Sequence, residues 1–117
     1  MVTSTYVPHR GDIVWIDFDP QAGHEQAGRR PAFILSDREY NRRSSLVILC
    51  PITSQLKPYP FIVALPPTLL PKESYVLADQ VKSMDWRQRN TSFITKAPIT
   101  AVEEVTQFAT GIVQGRH

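Results

Sequence analysis

Two apolar runs bracket a polar loop near the start of this 117-residue chain, and that arrangement constrains the fold more than any other feature. Residues 12–19 and 31–36 are rich in β-branched and aromatic side chains, the composition of strands. In the first run Ile13, Trp15 and Asp17 alternate with Val14, Ile16 and Phe18, so one strand face is wholly apolar and belongs to a core. Pro20 cannot donate to a sheet ladder, and the strand is expected to stop near Asp19. Between the runs lie His24, Glu25, Gln26, Ala27, Gly28, Arg29 and Arg30, followed by Pro31. Buried strands hold the ends of such a loop, while Gly23 and Gly28 allow its middle backbone angles that other residues avoid. A carboxylate, an amide and two guanidinium groups are thereby delivered to one place.

The remaining chain continues in short β-like pieces. Residues 37–43 lack strand alternation and are expected to form a surface helix or turn, capped by Ser36 or Asp37. Residues 46–52 are a continuous apolar run and read as a buried strand with Pro51 near its end. Pro58 and Pro60 suit a turn, 61–65 is another strand, and Pro66, Pro67 and Pro71 stiffen the next loop. Residues 74–83 carry both helix propensity and strand pattern, and their β-rich neighbours favour a strand. Residues 91–95 make a last strand. From Pro98 to Val113 the period changes: Thr100 and Glu103 match a capping box, and Val102, Val105, Phe108, Ala109 and Ile112 recur at helical spacing. Six strands and one terminal helix predict a mainly β (β-rich α+β) fold, a small barrel with a helix packed on it. Length fits one domain, residues 1–117.

Thirteen Lys and Arg against eleven Asp and Glu give a formal charge of +2, too small to identify a nucleic-acid binder by itself. Distribution is more informative: Arg29, Arg30, Arg38, Arg42 and Arg43 cluster, as do Lys82, Arg87 and Arg89. The single Cys50 lies in an apolar stretch and is expected to be a small buried residue in a reducing, cytoplasmic compartment. No apolar run approaches the ~20 residues that span a bilayer, and no export leader is recognisable, so no membrane partner is expected. His9, His24 and His117 are scattered, so no metal site and no cofactor is expected.

Cleaving RNA without a metal requires removal of the 2′-hydroxyl proton, stabilisation of charge on the phosphoryl oxygens and protonation of the leaving oxygen. Arginine suits the second task, because its planar donor fork matches phosphate oxygens and its charge persists at neutral pH. Glu25, His24 or water would share the proton transfers, and Thr53 could donate to a phosphoryl oxygen if its strand end lies beside the loop. Each group also has an ordinary structural use. Arg30 could pair with Asp79 or Glu25, Thr53, Ser54 and Gln55 could cap a strand end, and Tyr59 and Trp86 could belong to the core rather than stack on bases.

The segments Asp12 to Pro20, Glu25 to Pro31, Pro51 to Gln55, Tyr59 to Phe61 and Leu77 to Ser83, with Trp86 and Arg87 after them, resemble the MazF/PemK family of toxin endoribonucleases in order and spacing. The resemblance runs from about residue 5 to about residue 95, and Glu-Gln-x-Gly-x-Arg-Pro together with Ala-Asp-Gln-Val is its distinctive part. It implies an SH3-like barrel of the MazF/PemK/CcdB type, a homodimer, and a ribosome-independent endoribonuclease that cuts single-stranded mRNA and leaves a 2′,3′-cyclic phosphate and a 5′-hydroxyl. Arg30, Thr53 and Glu25 fall on catalytic positions. His24, Gln26, Arg29, Ser54, Gln55, Lys57, Tyr59, Asp79, Gln80, Lys82 and Arg87 fall where RNA would bind. A MazE-like antitoxin with an acidic tail is the implied regulator. Arg29, Ser54, Pro58, Asp85 and a weakly matching terminal helix depart from the family pattern. Two other readings stand beside it: a gyrase-poisoning toxin of the CcdB kind, which shares the barrel, and a non-catalytic RNA-binding module in which the basic and aromatic residues matter. Only the nuclease requires Arg30 together with Thr53.

Overall fold

The computed structural model describes residues 6–18, 28–56 and 58–116. Its elements in chain order are β1 (Asp12–Asp17), β2 (Arg29–Ile34), α1 (Arg38–Ser44), β3 (Leu46–Thr53), β4 (Ile62–Ala64), β5 (Tyr75–Leu77), β6 (Lys82–Asp85), β7 (Ser92–Lys96) and α2 (Ile99–Gln114). All strand pairs are antiparallel, in the order β4-β5-β3-β2-β1-β7, and β6 also pairs with β3. The mainly β expectation is borne out.

β3 organises the sheet. Its residues 49–51 pair with β2 on one edge. On the other edge Leu46–Leu49 take β6 and Ile52–Thr53 take β5. One strand with two successive partners along an edge is how a small sheet folds across itself. The expected single strand over 74–83 is therefore two strands, β5 and β6, separated by a turn. Ala78 N–H donates to the Phe61 carbonyl at 2.9 Å and Gln80 N–H to the Leu77 carbonyl at 3.1 Å. These bonds bend the chain where periodicity alone shows no break.

Both faces of the sheet carry apolar clusters. Val14, Ile16 and Phe18 are buried as the alternation requires, together with Ala32, Ile34, Val47 and Leu49. Trp86 joins them at 8 % exposure, its indole N–H donating to the Asn41 carbonyl at 2.8 Å. On the opposite face Ile13, Phe33, Cys50, Ile52 and Val76 pack against Val102 and Val105 of α2. Cys50 is fully buried, as expected of a small apolar residue. Gly11 sits against this helix with φ +90, and a Cβ there would stand 2.9 Å from Val102 Cγ2, so only glycine fits without displacement.

Residues 38–44 form a helix, and Asp37 is the cap, its carboxylate accepting from Tyr40 N–H at 2.9 Å. The Thr100–Glu103 capping box does not form. α2 begins earlier, with Pro98 at the N-cap and no side-chain cap. The Pro98 carbonyl accepts from Ala101 and Val102 instead, which lets Ala101 and Val102 enter the core.

Candidate active site

β2 and β3 end side by side. Their pairing runs as far as Ala32 with Pro51, and Arg30 and Thr53 each lie two residues beyond that pair, at the same end of the two strands. A cleft of about 430 Å³ opens at this end, and Arg29, Arg30, Thr53, Ser54, Trp15 and Lys72 are among the residues that line it. Arg30 and Thr53 are 23 positions apart in sequence, and the sheet brings them to one cleft.

Thr53 is half-buried, and its Oγ1 accepts the Gln55 N–H at 3.2 Å. That bond occupies a lone pair and leaves the single O–H to donate. Arg29 and Arg30 are consecutive strand residues and so project to opposite faces. Arg30 is exposed and shares the Ile16 side of the sheet through the Ile16↔Arg30 pairing. Arg29 turns toward β7: Nη2 donates to Ser92 Oγ at 2.9 Å, Nη1 reaches Asp17 Oδ1 at 3.4 Å, and the Asn90 carbonyl accepts from Nη1 as well. Gly28, with φ +74 in the left-handed region, leads into this strand, and its carbonyl accepts the Phe18 N–H at 2.9 Å.

Ser54 shares the cleft wall, and Gln55 is exposed beside it. Tyr59 donates its hydroxyl to Asp79 Oδ2. Gln80 is in the β5–β6 turn, and Lys82 stands opposite Leu49. Arg87 lies at the far end of β3: Asp85 pairs with Leu46, and seven strand steps, roughly 23 Å, separate Leu46 from Thr53. There Arg87 stacks 4.8 Å from the Trp86 ring centroid and donates to the Arg42 carbonyl at 2.9 Å. One copy of the chain thus brings Arg29, Arg30, Thr53 and Ser54 to one cleft, with Gln55 next to Ser54 in the chain, and leaves Arg87 apart. His24, Glu25, Gln26 and Lys57 lie outside the described residues.

Trp15, Lys72 and Ile94 also line the cleft and were not among the sequence candidates. Trp15 had a signal, a large aromatic on the less apolar side of β1, and the structure leaves it 40 % exposed. Lys72 follows three prolines in a loop and had none. Among the described residues no three His, Cys, Asp or Glu side chains group as metal ligands, and no helix is long and apolar enough to cross a membrane.

Residues 9–109 match the family model described as PemK-like, MazF-like toxin of type II toxin-antitoxin system. The chain is 45% identical over 104 residues to the endoribonuclease toxin MazF of Escherichia coli strain K12, covering 89% of each protein. Among solved structures it is similar to MazF from Deinococcus radiodurans at TM-score 0.87 and 46% identity, covering 94% of this chain and 98% of that one. It is also similar to a MazE–MazF structure from the same organism at TM-score 0.82 and 46% identity, covering 96% and 99%. The chain belongs to the PemK-like and MazF-like family of toxins of type II toxin–antitoxin systems.

Proposed function

We propose that this chain is the endoribonuclease of a toxin–antitoxin pair, cutting single-stranded mRNA at a short sequence without a metal, with residues 1–117 acting as one toxin domain. The observation that carries the proposal is the placement of Arg30 and Thr53 on neighbouring strand ends in one cleft. The 2′-oxygen attacks the adjacent phosphorus, the new O2′–P bond forms as the P–O5′ bond breaks, and the products are a 2′,3′-cyclic phosphate and a 5′-hydroxyl. Negative charge grows on the non-bridging oxygens during this step. The Arg30 guanidinium stabilises it, and the Thr53 O–H donates to one of these oxygens. Glu25 is the proposed acceptor of the 2′-hydroxyl proton, and the leaving O5′ takes up a proton.

Ser54, Gln55 and Arg29 extend the RNA-facing wall, and His24, Gln26 and Lys57 are proposed to join it. Lys82 and Arg87 meet RNA outside this cleft, or across the second copy of a homodimer. A MazE-like antitoxin is the proposed partner: the D. radiodurans relative is solved with MazE, and an acidic segment would occupy a cleft edged by Arg29, Arg30 and Lys72. The cytoplasm, where mRNA is found, is the proposed compartment.

The test is incubation of purified protein with a long RNA in EDTA, with mapping of new 5′ ends. Cuts sharing one motif, lost in Arg30→Ala and Thr53→Ala proteins that remain folded, are expected. An RNA left intact by the folded, antitoxin-free protein would overturn the proposal in favour of gyrase poisoning or simple RNA binding.

A further inference from the structure

The chain leaving Thr53 runs through residues 54–61 before entering β4, and this segment is tied to the β5–β6 turn at two points. Ala78 N–H donates to the Phe61 carbonyl at 2.9 Å, and the Tyr59 hydroxyl donates to Asp79 Oδ2. Asp79 Oδ1 is buried and has no hydrogen-bond partner among the described residues. Of its two carboxylate oxygens, Oδ2 therefore carries the hydrogen bond that ties Asp79 to Tyr59. Burial, followed by the Asp79 hydrogen bond and charge, pushes the Tyr59 hydroxyl up to about 12, so it stays a donor through neutral pH. The ring is also committed. Tyr59 meets Phe61 edge-on with centroids 6.1 Å apart, and Phe61 meets Phe108 of α2 edge-on at 6.0 Å. A continuous line from Asp79 through Tyr59 and Phe61 to Phe108 thus anchors the stretch that follows Ser54, a residue of the cleft wall, and its exposed neighbour Gln55.

We infer that Tyr59 and Asp79 are a positioning pair, whose contact fixes residues 58–61 against the β5–β6 turn and so limits the freedom of Ser54, Gln55 and the Gln55-bound Thr53 hydroxyl that face RNA. Neither side chain then needs to touch RNA. The inference rests on the proposed RNA-cleaving role of the cleft. Thr53 is also held by its ladder pairing with Tyr75, so losing the pair should disturb substrate binding by the loop more than the chemical step.

The experiment compares Tyr59→Phe, Asp79→Ala, their double variant and the conservative Asp79→Asn on a short RNA containing the mapped cut site, with amide hydrogen exchange followed at Gln55 and Ala78. Loss of one hydrogen bond predicts a KM raised by about fivefold to tenfold in Tyr59→Phe with kcat nearly unchanged. The double variant should be no worse than the poorer single one. Asp79→Asn keeps a carbonyl acceptor and should recover most of the loss. Exchange at both amides should quicken in Tyr59→Phe and Asp79→Ala. Should Asp79→Ala fail to fold, Tyr59→Phe and Asp79→Asn carry the comparison. Effects that multiply in the double variant with exchange unchanged would overturn the inference and make each side chain an independent RNA contact. A wild-type chain that leaves RNA intact would instead remove the functional proposal, and exchange alone would then decide whether the pair fixes the loop.

Discussion

Arg29 Nη2 stands 2.9 Å from the Ser92 hydroxyl, joining β2 to β7 across β1, which lies between them. With Asp17 and the Asn90 carbonyl as further partners, this guanidinium closes the end of the sheet. Its neighbour Arg30 faces the other way. The two arginines should therefore separate on substitution. Arg29→Ala should lower stability by about 1 kcal/mol, a modest value because the ion pair is partly exposed, and should raise KM for RNA severalfold while kcat stays within about threefold. Arg30→Ala should reduce cleavage by roughly 10²–10³-fold through kcat, the usual cost of removing one transition-state donor. Urea unfolding and initial cleavage rates on the same preparations check both, and a reversal of the two patterns would exchange their roles.

Asn41 is the fully buried polar residue on α1. Its Nδ2 donates to the carbonyls of Pro8 at 2.8 Å and Ser36 at 3.1 Å, and its Oδ1 accepts from Ser36 Oγ at 2.5 Å. It therefore pins the N-terminal segment and α1 together. Asn41→Ala orphans those carbonyls and should cost about 2–4 kcal/mol. Asn41→Asp should be no better, since an ionised carboxylate cannot donate to either carbonyl. Chemical denaturation measures the loss, and a change below about 0.5 kcal/mol would mean that the segment is held by other contacts.

The difference between what was legible beforehand and what was not follows the range of the interactions. Val14, Ile16 and Phe18 declare their face through a two-residue period, and Val102, Val105 and Ala109 declare theirs through a helical one; both signals are local. The meeting of Arg30 and Thr53 depends on the β2–β3 register, and no local pattern encodes it, so family resemblance supplied those positions. Asn41 could not be distinguished within the polar run 37–43 because its partners Pro8 and Ser36 are set by tertiary contacts. Thr100 and Glu103 had the right spacing for a cap, yet burial of Ala101 drew the helix start back to Pro98. Asp85 departs from the family pattern for a reason set by tertiary contacts: its Oδ1 accepts from Ser45 Oγ at 2.9 Å and from Arg87 N–H at 3.1 Å, shaping the turn that places Trp86.

Alkaline pH should weaken the fold in a defined order. Burial, with a smaller contribution from the Asp79 carboxylate, pushes the Cys50 thiol from 9.0 up to about 12. Above pH 9 the unfolded chain releases this proton and the folded chain keeps it. Stability is therefore fully present below about pH 9 and declines as pH rises toward 12. Tyr59 adds a loss of the same sign from 10.0 upward. Cys50→Ala should flatten the first part of the decline in a series of unfolding curves taken between pH 8 and 10. In the wild type an aromatic disulfide reagent should label Cys50 only as fast as the protein opens. Rapid labelling of the folded protein at neutral pH would contradict this burial.

The chain has two tryptophans, and their surroundings allow fluorescence to locate bound RNA. Trp86 is enclosed near α1 at 8 % exposure, whereas Trp15 is 40 % exposed in the cleft that Arg30 and Thr53 line. In an Arg30→Ala background, where RNA survives, a short single-stranded RNA should quench part of the emission. Trp15→Phe in the same background should remove that quenching while retaining a ring for base contact, so affinity should change little. Trp15→Ala should weaken binding by about 1–3 kcal/mol if a base stacks on the indole. Acrylamide gives the reference, since it should reach Trp15 freely and Trp86 poorly in the absence of RNA. Quenching that persists in Trp15→Phe would place the RNA near Trp86 and Arg87, at the opposite end of β3, and would separate the binding surface from the cleft.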